Sequence, residues 1–122
     1  MQVLLVEDEA LVREMLHEDL ADAGFSVVQA ATAEEGLDAI PDGASPAVLV
    51  ADWKLGRGMD GAALAEEAQR RWPGVGVVIM TEDERHLNRL PGALRASCLV
   101  KPFNPPRLVA AVNRLMERTI TA

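Results

Sequence analysis

The sequence has one cysteine, no excess of basic residues and no apolar run long enough to cross a membrane. A single cysteine, Cys98, cannot form an intrachain disulfide, so a reducing compartment is predicted. A membrane-spanning helix needs about 20 consecutive apolar residues, and no stretch approaches that length. The N-terminus lacks the basic region and the long apolar run of a signal peptide. We therefore expect a cytoplasmic protein.

The charge balance is acidic, with 12 Lys and Arg against 19 Asp and Glu and a formal net charge of −7. Such a chain is not attracted to nucleic acid or to an anionic membrane surface, so we expect neither as a partner. The 122 residues, 49% of them hydrophobic, are typical of one globular domain over residues 1–122.

Apolar, strand-like runs alternate with helical patterns along the chain. The predicted strands are Val3–Val6, Phe25–Ala30, Ala47–Ala51, Gly76–Met80 and Ser97–Val100. The predicted helices run from about Ala10 to Ala23, from the capping box at Thr32 to Ile40, from Asp60 to Trp72, and from Asn104 onward. Continuous apolar strands between amphipathic helices are typical of a parallel sheet covered on both faces, which indicates a doubly wound α/β fold.

The segment 82–96 departs from this pattern. It should contain the fourth helix, but Pro91-Gly92 interrupts it. Proline inside a helix costs ~3 kcal/mol or more. We therefore predict a short helix from about Asp83 to Leu90, followed by an irregular stretch.

Polar side chains follow four of the predicted strands. Glu7 and Asp8 come after the first, Asp52 after the third, Thr81 after the fourth and Lys101 after the fifth. In a doubly wound sheet, ligands bind outside the carboxyl ends of the strands, so these side chains are expected to converge there. Three carboxylates in one site repel each other, and Mg²⁺ would relieve that repulsion. A lysine and a hydroxyl beside them suit a phosphoryl group.

Five short segments at these strand ends resemble, in order and over essentially the full chain, a response-regulator receiver domain of the stand-alone type. They are Val3-Leu-Leu-Val-Glu-Asp8, Val50-Ala-Asp52, Met59-Asp-Gly61, Ile79-Met-Thr81 and Val100-Lys-Pro-Phe103. The resemblance, shared with chemotaxis and alphaproteobacterial receivers, implies a flavodoxin-like (βα)5 fold. Its five-stranded parallel sheet has the order 2-1-3-4-5, here with a shortened or irregular fourth helix.

The resemblance also implies residue roles. Asp52 matches the phospho-acceptor, and Thr81 and Lys101 match the residues that contact its phosphoryl group. Glu7, Asp8, Asp52 and the backbone carbonyl of Lys54 match the ligands of Mg²⁺, with Mn²⁺ as a possible substitute. The Lys101–Pro102 bond matches one that is cis in the family.

The implied partners are a histidine kinase or a histidine phosphotransfer protein as donor and a downstream protein target, with the domain a monomer or weak dimer. Such a domain assists its own phosphorylation and dephosphorylation but is not a dedicated enzyme. The start at Met1 and the end soon after the fifth helix favour a stand-alone protein, and a receiver cut from a longer chain would have the same sequence pattern.

Several positions depart from the family pattern. Cys98 stands where a switch Tyr or Phe is usual, Glu82 where a small residue is preferred, and Glu7 where aspartate is commoner. The loop Leu55-Gly-Arg-Gly58 carries one extra residue. Thr81, Glu82 and Cys98 are therefore the candidate switch and output positions.

Two functions remain open: a phosphorylated receiver that acts through protein contacts, and a pseudo-receiver that binds partners without being switched by phosphate. An aspartate-nucleophile phosphatase is disfavoured because Lys54 stands where its second aspartate would be. His17 and His86 are expected to be surface residues without a role as metal ligand or phospho-donor. Trp53 is expected to be a partly exposed cover near the site.

Overall fold

The computed structural model describes residues 2–56 and 59–121, with side chains described through residue 117. Its five strands form one parallel sheet in the order β2-β1-β3-β4-β5. They are β1 (Val3–Val6), β2 (Val27–Ala30), β3 (Val48–Asp52), β4 (Gly76–Thr81) and β5 (Leu99–Val100). The predicted α/β fold and its strand order are confirmed.

Helices cover both faces of the sheet. They are α1 (Ala10–Asp22), α2 (Ala33–Ala39), α3 (Gly61–Arg71), a 3₁₀ helix (Glu84–Arg89), α4 (Gly92–Ala96) and α5 (Pro105–Thr121). Among the described residues, no helix has the length and apolar character needed to cross a membrane.

The alternation of side chains along each strand divides the core into two layers. Leu4 and Val6 of β1 pack with α2, α3 and α4, whereas Val3 and Leu5 pack with α1 and α5. All four residues of β1 are fully buried. Burial on both faces explains why the strands have continuous apolar sequences.

The predicted helix boundaries hold to within a few residues. Thr32 accepts a hydrogen bond from the backbone N–H of Glu35, as the capping box predicts, and Gly24 has the positive φ expected after α1. Ala23, the predicted last residue of the first helix, is the exposed C-terminal cap of α1.

The segment 82–96 is broken at Pro91, as predicted, but its two halves differ from the prediction. The first half is a 3₁₀ helix, and the second half is α4 rather than an irregular stretch. Pro91 stands at the N-cap of α4, where its missing N–H and fixed φ cost little. Leu90 and Leu94 are buried on either side of it and attach the segment to the core.

The loop after β3 also carries a core contact. Leu55 is buried, so the start of the loop packs into the layer under α2 and α3. The loop predicted to carry one extra residue, Leu55–Gly58, includes Arg57 and Gly58, which lie outside the described residues.

Candidate functional site

Three carboxylates meet at the carboxyl edge of β1 and β3. The parallel register pairs Val6 with Ala51, so the residues that follow both strands are neighbours. Glu7, Asp8 and Asp52 each have a carboxylate oxygen within 4.8 Å of the others. Glu7 is only 1% exposed and Asp52 9%, whereas Asp8 is exposed. The cluster therefore has a buried floor and one side open to solvent.

This carboxylate cluster fits Mg²⁺. Burial, together with repulsion from Asp52, raises the pKa of Glu7 to about 7 although Lys101 lies nearby. The positive charge of Lys101 is therefore not enough to offset the free-energy cost of ionising all three carboxylates. A hard divalent cation with oxygen ligands would supply the missing charge, and the open side at Asp8 leaves room for the waters that Mg²⁺ retains.

Lys101 reaches across the sheet to the two buried carboxylates. Its Nζ donates to Asp52 Oδ2 at 3.0 Å and to Glu7 Oε1 at 3.5 Å. Burial acts to lower the pKa of Lys101, but the hydrogen bonds and charges of Asp52 and Glu7 raise it above its ordinary value. Its backbone N–H donates to the Thr81 carbonyl at 2.7 Å, and the Lys101–Pro102 bond is cis, as the resemblance implies. The lysine therefore remains a cation pointed at Asp52.

Backbone hydrogen bonds hold the turn that carries Asp52. The N–H of Trp53 donates to the Met80 carbonyl at 2.7 Å, and the N–H of Gly61 donates to the Trp53 carbonyl at 2.8 Å. The N–H of Lys54 lies 3.4 Å from Asp52 Oδ1. The start of α3 is thus attached to the residues that follow β3, which fixes the direction of the Asp52 side chain.

Gly61 is required by the closeness of α3 to this turn. A Cβ at position 61 would lie 2.5 Å from the Asp52 carbonyl oxygen and 2.9 Å from Trp53 Cα, both backbone atoms. We expect Gly61→Ala to lower the free energy of unfolding by about 2 kcal/mol or more, since overpacking typically costs 1–3 kcal/mol. Urea unfolding measures this, with Gly92→Ala as the control because a Cβ there meets nothing within 4 Å. Equal stability of the two variants would contradict the prediction.

Thr81 is buried at the end of β4, and its hydroxyl has two close partners. The N–H of Asp83 donates to Thr81 Oγ1 at 3.1 Å, and Oγ1 lies 2.6 Å from Nδ1 of His86. The His86 ring is stacked on Trp53, with centroids 4.1 Å apart and planes 7° apart. The expectation that His86 is a plain surface residue was wrong, because it is half-buried against two residues of the site.

A cleft of about 480 Å³ lies above these residues. Its floor includes Asp52, Thr81 and Lys101, and its walls include Trp53 and His86. Trp53 is partly exposed there, as predicted. The cleft opens to solvent, so the Asp52 carboxylate can be reached from outside the protein.

The sequence profile of the response regulator receiver domain matches residues 3–113. The chain belongs to this family. It is 28% identical over 122 residues to an NtrX-like response regulator of Rickettsia felis, covering 98% of this chain and 26% of that protein. The chain thus spans about a quarter of that relative's length.

Solved structures of receiver domains have the same fold. The receiver domain of NtrX from Brucella abortus has a TM-score of 0.82 and 28% identity, covering 95% of this chain and 98% of that one. A receiver domain protein from Clostridium thermocellum has a TM-score of 0.85, covering 98% of this chain and 97% of that one, but its 23% identity supports the fold alone.

Glu82 and Cys98, which depart from the receiver pattern, differ in their burial. Glu82 is exposed at the mouth of the cleft, and Cys98 is half-buried against the core layer of α2, α3 and α4. Burial raises the pKa of the Cys98 thiol, which disfavours a reactive thiolate. Neither residue has an aromatic ring. The aromatic ring beside Thr81 is that of His86, which sequence reasoning missed because nothing in the sequence marks His86 except its place five residues after Thr81.

Proposed function

We propose that this receiver accepts a phosphoryl group from a phosphohistidine donor onto Asp52 and passes the signal to a protein partner. The observation that carries the proposal is the position of the Asp52 carboxylate, 3.0 Å from Lys101 Nζ, beside Glu7 and Asp8, on the floor of an open cleft. The full set of acidic, basic and hydroxyl groups favours this function over the pseudo-receiver.

The proposed transfer needs little covalent chemistry from the protein. A carboxylate oxygen of Asp52 attacks phosphorus, the P–N bond of the donor breaks, and its electron pair leaves on the imidazole nitrogen. Lys101 stabilises the negative charge on the transferring oxygens, and the Thr81 hydroxyl donates to one of them after transfer. Water later attacks phosphorus and releases phosphate, which restores Asp52.

A bound Mg²⁺ would neutralise charge shared between Asp52 and the phosphoryl oxygens. Its proposed protein ligands are Glu7, Asp8, Asp52 and the backbone carbonyl of Lys54, and Mn²⁺ is an alternative ion. Glu7 is one methylene longer than aspartate, but its carboxylate still lies within the cluster.

Intact mass after incubation with acetyl phosphate and Mg²⁺ tests the proposal. We expect a gain of one phosphoryl group that requires the metal and is absent in Asp52→Asn, because the amide is not a nucleophile. Asp38→Asn is the matched control, since Asp38 is exposed on α2 and is not part of the carboxylate cluster. A failure of both acetyl phosphate and a phosphohistidine protein to modify Asp52 would support the pseudo-receiver instead.

Two apolar side chains on α1 support docking of a protein donor. Leu11 is 79% exposed and Met15 63%, and they lie one turn apart on the helix that begins next to the acidic cluster. Exposed apolar residues beside a cleft are typical of a contact surface. We propose that the donor's helical surface packs on them while its phosphohistidine enters the cleft.

The double variant Leu11→Ser/Met15→Ser tests this docking. We expect transfer from a phosphorylated histidine phosphotransfer domain to slow about tenfold or more, because fully burying an apolar side chain such as Leu or Met contributes about 1.5–3 kcal/mol. The rate with acetyl phosphate should be unchanged, since that donor needs no docking surface. Equal slowing with both donors would place the effect in the fold and contradict the docking proposal.

A further inference from the structure

The 3₁₀ helix is attached to the site mainly through one side chain. None of its six residues, Glu84–Arg89, is buried. His86 alone among them is stacked on Trp53 and lies within hydrogen-bond distance of Thr81. Buried Leu90 holds the C-terminal end of the segment to the core, whereas residues without buried side chains cost little free energy to displace. The position of the 3₁₀ turns before Leu90 therefore depends on what His86 contacts.

The Thr81 hydroxyl has two acceptors within reach, Nδ1 of His86 at 2.6 Å and, at the longer distance of 3.4 Å, the Asp83 carbonyl oxygen. A hydroxyl has one hydrogen to donate and two lone pairs that accept. The N–H of Asp83 already donates to Oγ1 at 3.1 Å. When the His86 ring is neutral with its hydrogen on Nε2, Thr81 donates its one hydrogen to Nδ1, 2.6 Å away. This is the same hydrogen that the hydroxyl needs for a phosphoryl oxygen on Asp52.

We propose that His86 is a positioning residue that couples phosphorylation of Asp52 to the 3₁₀ helix; the inference rests on the proposed function. When Asp52 is phosphorylated, Thr81 donates its hydrogen to a phosphoryl oxygen, and the Nδ1 of a His86 ring whose hydrogen is on Nε2 loses its donor. Hydrogen bonds to charged acceptors are about twice as strong as neutral ones, so the exchange favours the phosphoryl group. The His86 ring then leaves Trp53, and the 3₁₀ helix moves with it.

In this chain the ring beside Thr81 belongs to His86 of the 3₁₀ helix. Cys98, which precedes β5, has no ring to offer. Trp53 follows Asp52 directly, so the surface that His86 leaves belongs to the same turn as the phospho-acceptor. The cleft wall formed by Trp53 and His86 would open, and the exposed face of the 3₁₀ helix would change. A partner could therefore distinguish the two states at this face.

The fluorescence of Trp53 reports directly whether the His86 ring is stacked on it. The chain has two tryptophans, so Trp72→Phe leaves Trp53 as the only indole. In that background, emission is recorded in Mg²⁺ alone and again after acetyl phosphate, with intact mass measured on the same sample. We expect the emission to change on phosphorylation, because an imidazole stacked on the indole is removed.

Two further variants separate the stack from the hydrogen bond. His86→Phe keeps a ring against Trp53 but has no acceptor for Thr81, so we expect it to gain the phosphoryl group without the emission change. The matched control is His17→Phe, on α1, which should keep the full response. Thr81→Val, measured without donor, should shift Trp53 emission in the direction seen on phosphorylation, because the ring has lost its polar partner.

Each outcome decides the inference. A phosphoryl gain with unchanged Trp53 emission would overturn it, as would a full response in His86→Phe, which would mean that the phosphoryl group acts on Trp53 directly. A missing phosphoryl gain with every donor would instead reject the proposed function, and the inference with it. The mass spectrum distinguishes these failures.

Discussion

We expect Lys101→Met to lower the rate at which acetyl phosphate phosphorylates Asp52 by about 100- to 1,000-fold, the usual effect of removing one charge-stabilising donor from a reaction site. The physical reason is that Lys101 Nζ lies 3.0 Å from Asp52 Oδ2 and would face a phosphoryl group transferred to that carboxylate. Met keeps an unbranched stem of similar length, so the packing around it is largely preserved.

The rate of mass gain at saturating Mg²⁺ measures this effect, and thermal unfolding verifies that the variant is folded. Lys101→Arg is the companion variant, because it keeps the charge but replaces a compact ammonium with a planar fork. We expect it to fall between the parent and Lys101→Met. A Met variant that reacts within threefold of the parent would show that Lys101 is not needed for transfer.

We expect Glu7→Gln to gain stability relative to the metal-free parent as the pH rises from about 4.5 to above 7. The difference between their free energies of unfolding should shift by on the order of 3 kcal/mol over that range. Burial and Asp52 raise the pKa of Glu7 from 4.5 to about 7. Below about pH 4.5 Glu7 is protonated in the folded and unfolded states, so it adds no ionisation cost. Between these values the unfolded chain releases the proton while the folded protein keeps it, and stability falls as the pH rises through about 7.

Urea unfolding of the parent and Glu7→Gln in EDTA across this pH range measures the difference between their free energies of unfolding. Because the two proteins differ only at position 7, the pH dependence of that difference reports Glu7 alone. Adding Mg²⁺ should reduce or reverse it at high pH, because the ionised Glu7 then has a cation beside it. A difference that does not vary with pH would mean that Glu7 is ionised in the folded protein without cost.

The fold was predictable because its signals are local. The apolar run of β1 and the capping box at Thr32 each specify an element from a few neighbouring residues. Strand order came from the resemblance, and the register of β1 with β3 then places Glu7 beside Asp52 as expected. The convergence of Glu7, Asp8, Asp52 and Lys101 could therefore be predicted before the geometry was known.

The segment 82–96 was predicted less well, for a physical reason. Pro91 signals a break but does not specify the structure of the residues after it, and the short α4 depends on burial of Leu94 against the sheet. Likewise, 3₁₀ and α-helical turns differ little in local sequence preference. Contacts with the surrounding core therefore decide that residues 84–89 form a 3₁₀ helix and that residues 92–96 form α4.

The alternation of strands and helices, the acidic edge with its lysine, and the lack of an aromatic residue at position 98 can be read from the sequence. The stacking of His86 on Trp53 arises only on folding, because Trp53 follows β3 whereas His86 follows β4, and these segments meet once the two strands have paired. The tertiary structure also decided that Glu7 is buried enough to hold a proton near neutral pH. Burial and through-space contacts depend on packing between distant segments, which no local pattern encodes.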